Sequence, residues 1–440
     1  MRFTATDPVR PGRVAALVLT TGLAVALTAG SWVDPGWSRA ADRPSGPATG
    51  GTEPVATRPF PQHVRYASTA LKPTNATQDE MDTIVLDQYA LWKATYLRFD
   101  GGEGSWIEYD GADSTVSEAH GYGMVLAAYL GDKAVFDSMY GYATHHPSNI
   151  GPHLMAWKQT LQGGRMVDVE GGDSATDGDL DIAYALLLAH VQWGSDGIID
   201  YRARAREVIH DIRRWDVAKR FSNFTSGDWT RGDYRRYTRS SDFMASHVLA
   251  FARYDRAHAA RWRKVYRQIT KAVDDQLGLR SRRTGLLPDF LTRSGARWVP
   301  VRGRWLESRH DGDFYWNACR TPWRLAVPWL VDRRTDTLAA QRRTARWIRG
   351  RTHGHPARIR AGYYVRNGRP GARISGYRDL AFSAPMAVNA MVGRGRAGPR
   401  WMNRTWASIT GRDYPAITDY YGDAIRMQAL LIISGNWWTP

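Results

Sequence analysis

A single cysteine, Cys319, stands in a chain of 440 residues, which excludes an intrachain disulfide framework and any cysteine-based zinc cluster. Lysine is also scarce: seven of the 60 basic residues are Lys and the rest are Arg. Only 43 residues are acidic, leaving a net charge of +17. Such an excess suits nucleic acid or an anionic surface as partner. The arginines are scattered through periodic segments rather than gathered in a tail, however, so nucleic acid is not expected. No Ser-His-Asp order, phosphate-binding glycine loop or metal-spaced His pair is present, and the adjacent His145 and His146 cannot share a helix face. No metal or other cofactor is expected.

Apolar and aromatic residues are plentiful, at 43% and 12% of the chain, enough for a large core. Nineteen Trp exceed what a core demands, and indoles that are not buried stack on flat partners such as sugar faces. Residues 1–41 have the form of a signal peptide. Arg2, Arg10 and Arg13 precede an apolar stretch from Val14 to Gly30, and Ser38-Arg39-Ala40-Ala41 supplies small residues for cleavage. The stretch falls short of a bilayer span, so cleavage is favoured over a retained anchor and no membrane association is expected afterwards. Residues 42–64, rich in Pro, Gly and Thr, read as a disordered linker.

The remainder, 65–440, reads as one domain. Apolar residues spaced by three and four predict helices over 78–99, 118–130, 132–145, 179–193, 201–214, 241–254, 259–277, 318–332, 335–349, 379–392 and 423–434. Strand-like alternation is sparse. The expected fold is all-α, a closed toroid of helical hairpins.

Carboxylates are few, so their clusters carry information. In Val116-Ser117-Glu118-Ala119-His120-Gly121-Tyr122-Gly123-Met124, Ser117 suits a helix N-cap and Glu118 its first turn. Gly121 and Gly123 cost a helix about 1 kcal/mol each, which is understandable if something large approaches the backbone there. Asp173, Asp177, Asp179 and Asp181 form a second cluster. It imitates a calcium loop, but position 12 of an EF-hand would be Tyr184 rather than Glu. A third, from Trp305 to Arg324, holds Glu307, Asp311 and Asp313 among aromatics, with Arg320 and Arg324 on an otherwise apolar helix. Carboxylates beside aromatics at loop-to-helix junctions are what glycosidic hydrolysis needs: one protonated carboxyl, one carboxylate and flat platforms for sugar rings.

The run Ala175-Thr176-Asp177-Gly178-Asp179-Leu180-Asp181-Ile182-Ala183-Tyr184 resembles the signature of glycoside hydrolase family 8, and Ser117–Met124 resembles its acid motif. Leu154–Lys158, Gly285–Asp289, Asn317–Arg324 and Tyr420–Asp423 follow in family order, so the likeness spans about residues 65–438. It implies an (α/α)6 barrel over 65–440 and a secreted or envelope-associated, monomeric, inverting endo-hydrolase of a β-1,4-linked polysaccharide. Glu118 matches the family's general acid. Asp177 matches the aspartate that binds and distorts the sugar at the cleavage point, and Asp179 could share that site.

Many members place a catalytic Asp where this chain has Asn317, and an amide cannot deprotonate water. One subfamily shares the Asn and takes its base from a Glu in the preceding loop, which Glu307 matches; Asp311 and Asp313 are nearby alternatives. Inversion implies roughly 6.5–9.5 Å between Glu118 and Glu307. Trp157, Trp229 and Tyr237 fall where the family lines its cleft, and Arg320 matches an arginine aimed at the catalytic centre. Tyr420 could orient the water or the base, and Asp242 reads as a structural cap. Cys319 reads as an inert buried thiol. The family's substrates include cellulose-like and mixed-linkage glucans, chitosan and xylan. Chitosan is a polycation that a basic protein repels, so a neutral glucan is expected. The alternatives are a chitosanase or a non-catalytic envelope polysaccharide-binding protein.

Overall fold

Periodic apolar spacing becomes helix along most of the chain. The computed structural model describes residues 55–440 apart from Gly101 and Ala112; the expected signal peptide and residues 42–54 of the expected linker lie outside the described residues. In order come α1 (Gln78–Tyr96), α2 (Ser117–Leu130), α3 (Lys133–His145), α4 (Thr176–Trp193), α5 (Tyr201–Asp211), α6 (Ala245–Tyr254) and α7 (Ala259–Gly278). They are followed by the one-turn helices α8 (Thr321–Arg324) and α9 (Val327–Leu330), then α10 (Leu338–Arg351), α11 (Leu380–Ala390), α12 (Gly398–Ala407) and α13 (Tyr420–Ile433).

Two kinds of helix alternate. Nearly every residue of α2, α4, α11 and α13 is buried, which marks helices wrapped by protein on all sides. By contrast α7 buries Trp262, Val265, Tyr266, Ile269, Ala272 and Val273, one face only, and exposes Arg and Lys on the other. The wholly buried helices pack on one another, α11 on α13, α13 on α2 and α2 on α4, and α4 meets α6. One-sided helices back them, with α1 on α13, α3 on α2, α5 on α4, α7 on α6 and α12 on α11.

Gly121 of α2 and Gly178 of α4 are explained by the packing of these two helices, whereas Gly123 faces the Met139 side chain of α3 and Ile107 of the strand segment 104–107. A methyl built on Gly121 would lie 2.7 Å from Asp181 Cβ, and one on Gly178 would lie 2.6 Å from the Ser117 carbonyl carbon. The large object approaching the α2 backbone is therefore α4. Gly178→Ala is expected to destabilise the protein by about 1–3 kcal/mol, because neither helix backbone can give way. Thermal unfolding checks this, and an unchanged Tm would contradict the close approach.

Several expected boundaries move. The helix expected over 318–332 is three short turns, a 3-10 turn Ala318–Arg320 followed by α8 and α9, with Pro322 and Pro328 each opening a new turn. Helix α12 lies outside the expected helices; Pro399 is well placed in its first turn, and Trp401, Met402, Thr405 and Trp406 form its buried face. Ser117 is not the N-cap of α2. That place falls to Val116, which makes no side-chain cap, while the Ser117 N–H is taken by the Trp157 carbonyl at 2.9 Å.

The expected linker ends earlier than residue 64. Thr57 N–H donates to the Gln192 carbonyl (2.8 Å), Gln62 N–H to Asn436 Oδ1 (2.7 Å) and Val64 N–H to the Gly435 carbonyl (2.6 Å). Pairing with Gln192 at the end of α4 and with Gly435 and Asn436 holds a segment that composition alone marks as unstructured.

The fold is also less purely helical than expected. Short antiparallel strands form three small sheets: β1 (Leu97–Asp100) with β2 (Gly104–Ile107); β3 (Ser114–Val116), β4 (Lys158–Gln162) and β5 (Arg165–Asp168); and β6 (Tyr237–Arg239), β7 (Phe290–Ser294) and β8 (Arg297–Pro300). Strand β3 runs straight into α2, and β6 ends on Arg239. These small sheets deliver side chains to the site.

Candidate active site

Glu118 and Asp177 occupy the second positions of α2 and α4, and the glycine contact between those helices brings the two carboxylates together. Arg320, buried at the end of the 3-10 turn, lies between them. Its Nη1 donates to Glu118 Oε2 at 2.5 Å and to Asp177 Oδ2 at 3.0 Å, with the Tyr122 hydroxyl at 3.2 Å. Arg239 ion-pairs the other Asp177 oxygen at 2.8 Å and is itself held by Asp242 at 3.1 Å. Asp242 is thus a buttress for Arg239 rather than the helix cap expected. Tyr420 was expected at the water or the base, but its hydroxyl donates to Glu118 Oε1 at 3.2 Å.

The same environment drives the two carboxyl groups apart. Burial pushes the Glu118 carboxyl up to about 7; Arg320 draws it down, and the charge of Asp177 pushes it back up. Burial would raise Asp177 too, but Arg239 and Arg320 outweigh it and hold that carboxyl at about 2. One proton-carrying carboxyl beside one fixed carboxylate is the pairing acid catalysis uses.

Asn317 extends the chain of contacts. Its Oδ1 accepts from Arg320 Nη2 at 3.0 Å, and its Nδ2 donates to Glu307 Oε2 at 2.6 Å. A guanidinium and an amide therefore stand between Glu118 and Glu307. Asp289 fixes the amide's backbone by accepting the N–H groups of Tyr315 (2.9 Å) and Ala318 (2.7 Å). Glu307 is exposed as a residue, and the loss of water around its carboxyl raises the pKa, opposed by Arg239 and by the Asn317 amide.

Asp311 and Asp313 are occupied elsewhere. Asp311 accepts the backbone N–H groups of Trp305, Leu306, Glu307 and Ser308, and Asp313 those of Val365, Arg366 and Asn367. Both are fully buried and shape the loop that presents Glu307. Asp179 does not join the site either. Two residues past Asp177 it faces another way around the helix, and it is wholly buried beside Ser174, Asp216 and Asp228, where burial drives its pKa well up.

Trp229 and Tyr237 belong to one aromatic row. Tyr237 stacks on Trp305 with ring centroids 4.3 Å apart, Trp305 lies 6.0 Å from Tyr234, and Tyr234 lies 5.7 Å from Trp229. Trp157 is partly buried, with the Lys158 ammonium 5.6 Å from its ring, and its carbonyl holds the start of α2. Most of the other described tryptophans, including Trp92, Trp262, Trp323 and Trp438, are core. Cys319 is buried as expected, and burial pushes its thiol pKa far up.

The sequence profile of glycosyl hydrolases family 8 matches residues 59–337. The chain belongs to that family. It is 38% identical to a "Beta-glucanase" of Niallia circulans over 388 residues, covering 87% of this chain and 91% of that one. An "Endoglucanase" of Bacillus sp. (strain KSM-330) is 30% identical over 404 residues, covering 87% and 82%. Among solved structures, a "Beta-1,3-1,4-glucanase from Paenibacillus sp.X4" superposes with a TM-score of 0.82 at 35% identity, over 88% of this chain and 100% of that one. Rex8A from Paenibacillus barcinonensis shares the fold, with a TM-score of 0.68 at 18% identity over 82% and 94%. The protein is a glycoside hydrolase of the endoglucanase type acting on a polysaccharide.

Sequence reading missed several parts of this family 8 site. Tyr122 lies four residues after Glu118 and so on its helix face, a signal that was available. Arg239 stood three residues before Asp242, but nothing local distinguishes it from the other arginines. Tyr234 and Trp305 meet only through tertiary contact.

Proposed function

We propose that the protein is a secreted, monomeric, inverting endo-β-glucanase that cleaves β-1,4 bonds in mixed-linkage or cellulose-like glucan within an (α/α)6 barrel. The observation that carries this reading is the single guanidinium of Arg320 bridging Glu118 and Asp177 while holding Asn317 against Glu307. Glu118, protonated near neutral pH, gives its proton to the glycosidic oxygen as the C1–O bond breaks. Glu307 removes a proton from a water that attacks C1 from the opposite face, so the product is a hemiacetal of inverted configuration. Asp177, kept ionised by two arginines, accepts from sugar hydroxyls and favours positive charge building at C1. Trp229, Tyr234, Tyr237 and Trp305 support sugar rings, with Trp157 a further platform.

Barrel closure is supported by the run of buried helices from α11 through α13 and α2 to α4, backed by one-sided partners. Export rests on the pattern of residues 1–41, and no helix among the described residues is long and apolar enough to cross a membrane. The mixed-linkage assignment draws on the names of relatives at 38% and 35% identity.

Reducing-end release from barley β-glucan, carboxymethyl cellulose and chitosan, run in parallel, tests the substrate. Barley glucan is expected to be cleaved fastest and chitosan slowest. Proton NMR of the first products should show the α-anomer before mutarotation. Fastest cleavage of chitosan would overturn the substrate, and a β-anomer the mechanism.

A further inference from the structure

A basic cavity of about 800 Å³ lies beside the aromatic row, between the turn that ends α5 and the 3-10 turn Gly232–Arg236. Arg214, Arg220, Arg231, Arg235, Arg236 and Arg293 line it, against one acidic residue, Asp233. The whole chain has 60 basic to 43 acidic residues, so this imbalance is local. Among the described residues, none of the six arginines makes an ion pair.

Backbone carbonyls and rings hold them instead. Arg231 Nη1 donates to the Asp228 carbonyl at 2.5 Å, Arg235 Nη2 to that of Trp215 at 3.0 Å and Arg236 Nη2 to that of Arg293 at 2.7 Å. The Arg214 guanidinium lies 4.8 Å from the Trp215 ring, and that of Arg220 5.2 Å from Phe221. Arg293 Nε and Nη1 are shielded from water and meet no acceptor among the described residues. Crowding like charges without counterions is unfavourable unless an anion relieves it. Burial lowers the Arg235 pKa, and the neighbouring Arg231 lowers it further.

We propose that this cavity binds the acidic groups, carboxylate or phosphate, of an anionic polysaccharide. Planar guanidinium forks held in place match such groups bidentately. The turn Gly232–Arg236 carries Tyr234 of the aromatic row as well as Arg235 and Arg236 of the cavity, so a glycan lying on the row reaches the arginines within one turn of chain. Single-stranded nucleic acid is disfavoured because guanidinium groups already lie over Trp215 and Phe221, the two rings that line the cavity itself. The direction of approach rests on the polysaccharide-cleft reading above; the anion site itself does not.

Calorimetric titration of the full chain with a hexameric oligogalacturonate, which is not a β-glucan, tests the site. Arg214→Gln/Arg220→Gln should weaken binding about five- to tenfold and leave barley-glucan turnover unchanged. Arg263→Gln/Arg267→Gln, two exposed α7 arginines that do not line the cavity, should leave binding unchanged. Equal loss in both double variants, or no loss in the first, would overturn the proposal. Competition by a DNA oligonucleotide of equal charge at lower concentration would overturn it in favour of nucleic acid. Failure of the glucanase reading would show separately, as absent barley-glucan turnover in the unmodified protein.

Discussion

Glu118→Gln is expected to lower kcat on barley β-glucan by about 10²–10⁴-fold, the usual worth of a positioned general acid. Binding should change little, because the amide keeps the shape and still meets Arg320 and Tyr420. The pH profile gives a second readout. The active form of Glu118 is protonated and its carboxyl lies near 7, so unmodified activity falls as pH rises through about 7. In the variant that alkaline limb should vanish. An aryl glucoside oligomer with a strongly acidic phenol needs no protonation of its leaving group, so the variant should recover most of its rate on it. If the alkaline limb persists in Glu118→Gln, or the activated substrate is not rescued, Glu118 is not the acid.

Glu307→Gln should cost a comparable factor, on the order of 10²–10⁴ in kcat, because the neighbouring Asp311 and Asp313 are taken up by backbone amides. Here the activated substrate should give no rescue, since deprotonation of water is the missing step. This contrast separates the two roles. The active form of Glu307 is ionised, so activity on the acid side should fall as pH drops below its raised pKa, above the ordinary Glu value. Asp311→Asn should behave differently. It removes a carboxylate serving four backbone amides, so Tm should drop and kcat should fall only as far as the Glu307 loop loosens. Full activity of Glu307→Gln would remove it as the base.

Asn317 shows how the local and the distant combine. The sequence shows an amide where many family members carry a catalytic Asp, and the resemblance to one subfamily points to Glu307 in the preceding loop. It does not show that this amide donates to Glu307 while accepting from Arg320. The difference between Asp177 and Asp179 has the same origin. Both stand in one Asp-Gly-Asp run, and only the identity of what packs on each helix face makes one a cleft carboxylate held at about 2 and the other a buried neighbour of Asp216. Gly121 follows this rule too: its cost to the helix was visible, but its cause, the close approach of Asp181 Cβ and the Gly178 carbonyl of α4, was not.

Helical periodicity and the order of the motifs were local properties, readable because spacing and residue type repeat along the chain whatever it later packs against. They determined a mainly helical domain, the placing of Glu118 at a helix start and membership of a hydrolase family; that α4 begins early enough to take in Asp177 came only with the structure. Tertiary structure decided which arginines meet which carboxylates, how Tyr234, Trp305, Tyr237 and Trp229 form one row, and where unpaired positive charge collects. These depend on residues tens to hundreds of positions apart. Burial then sets their charge states, because a carboxyl's pKa follows from the water it loses and the charges it faces, and neither is written in its neighbours along the chain.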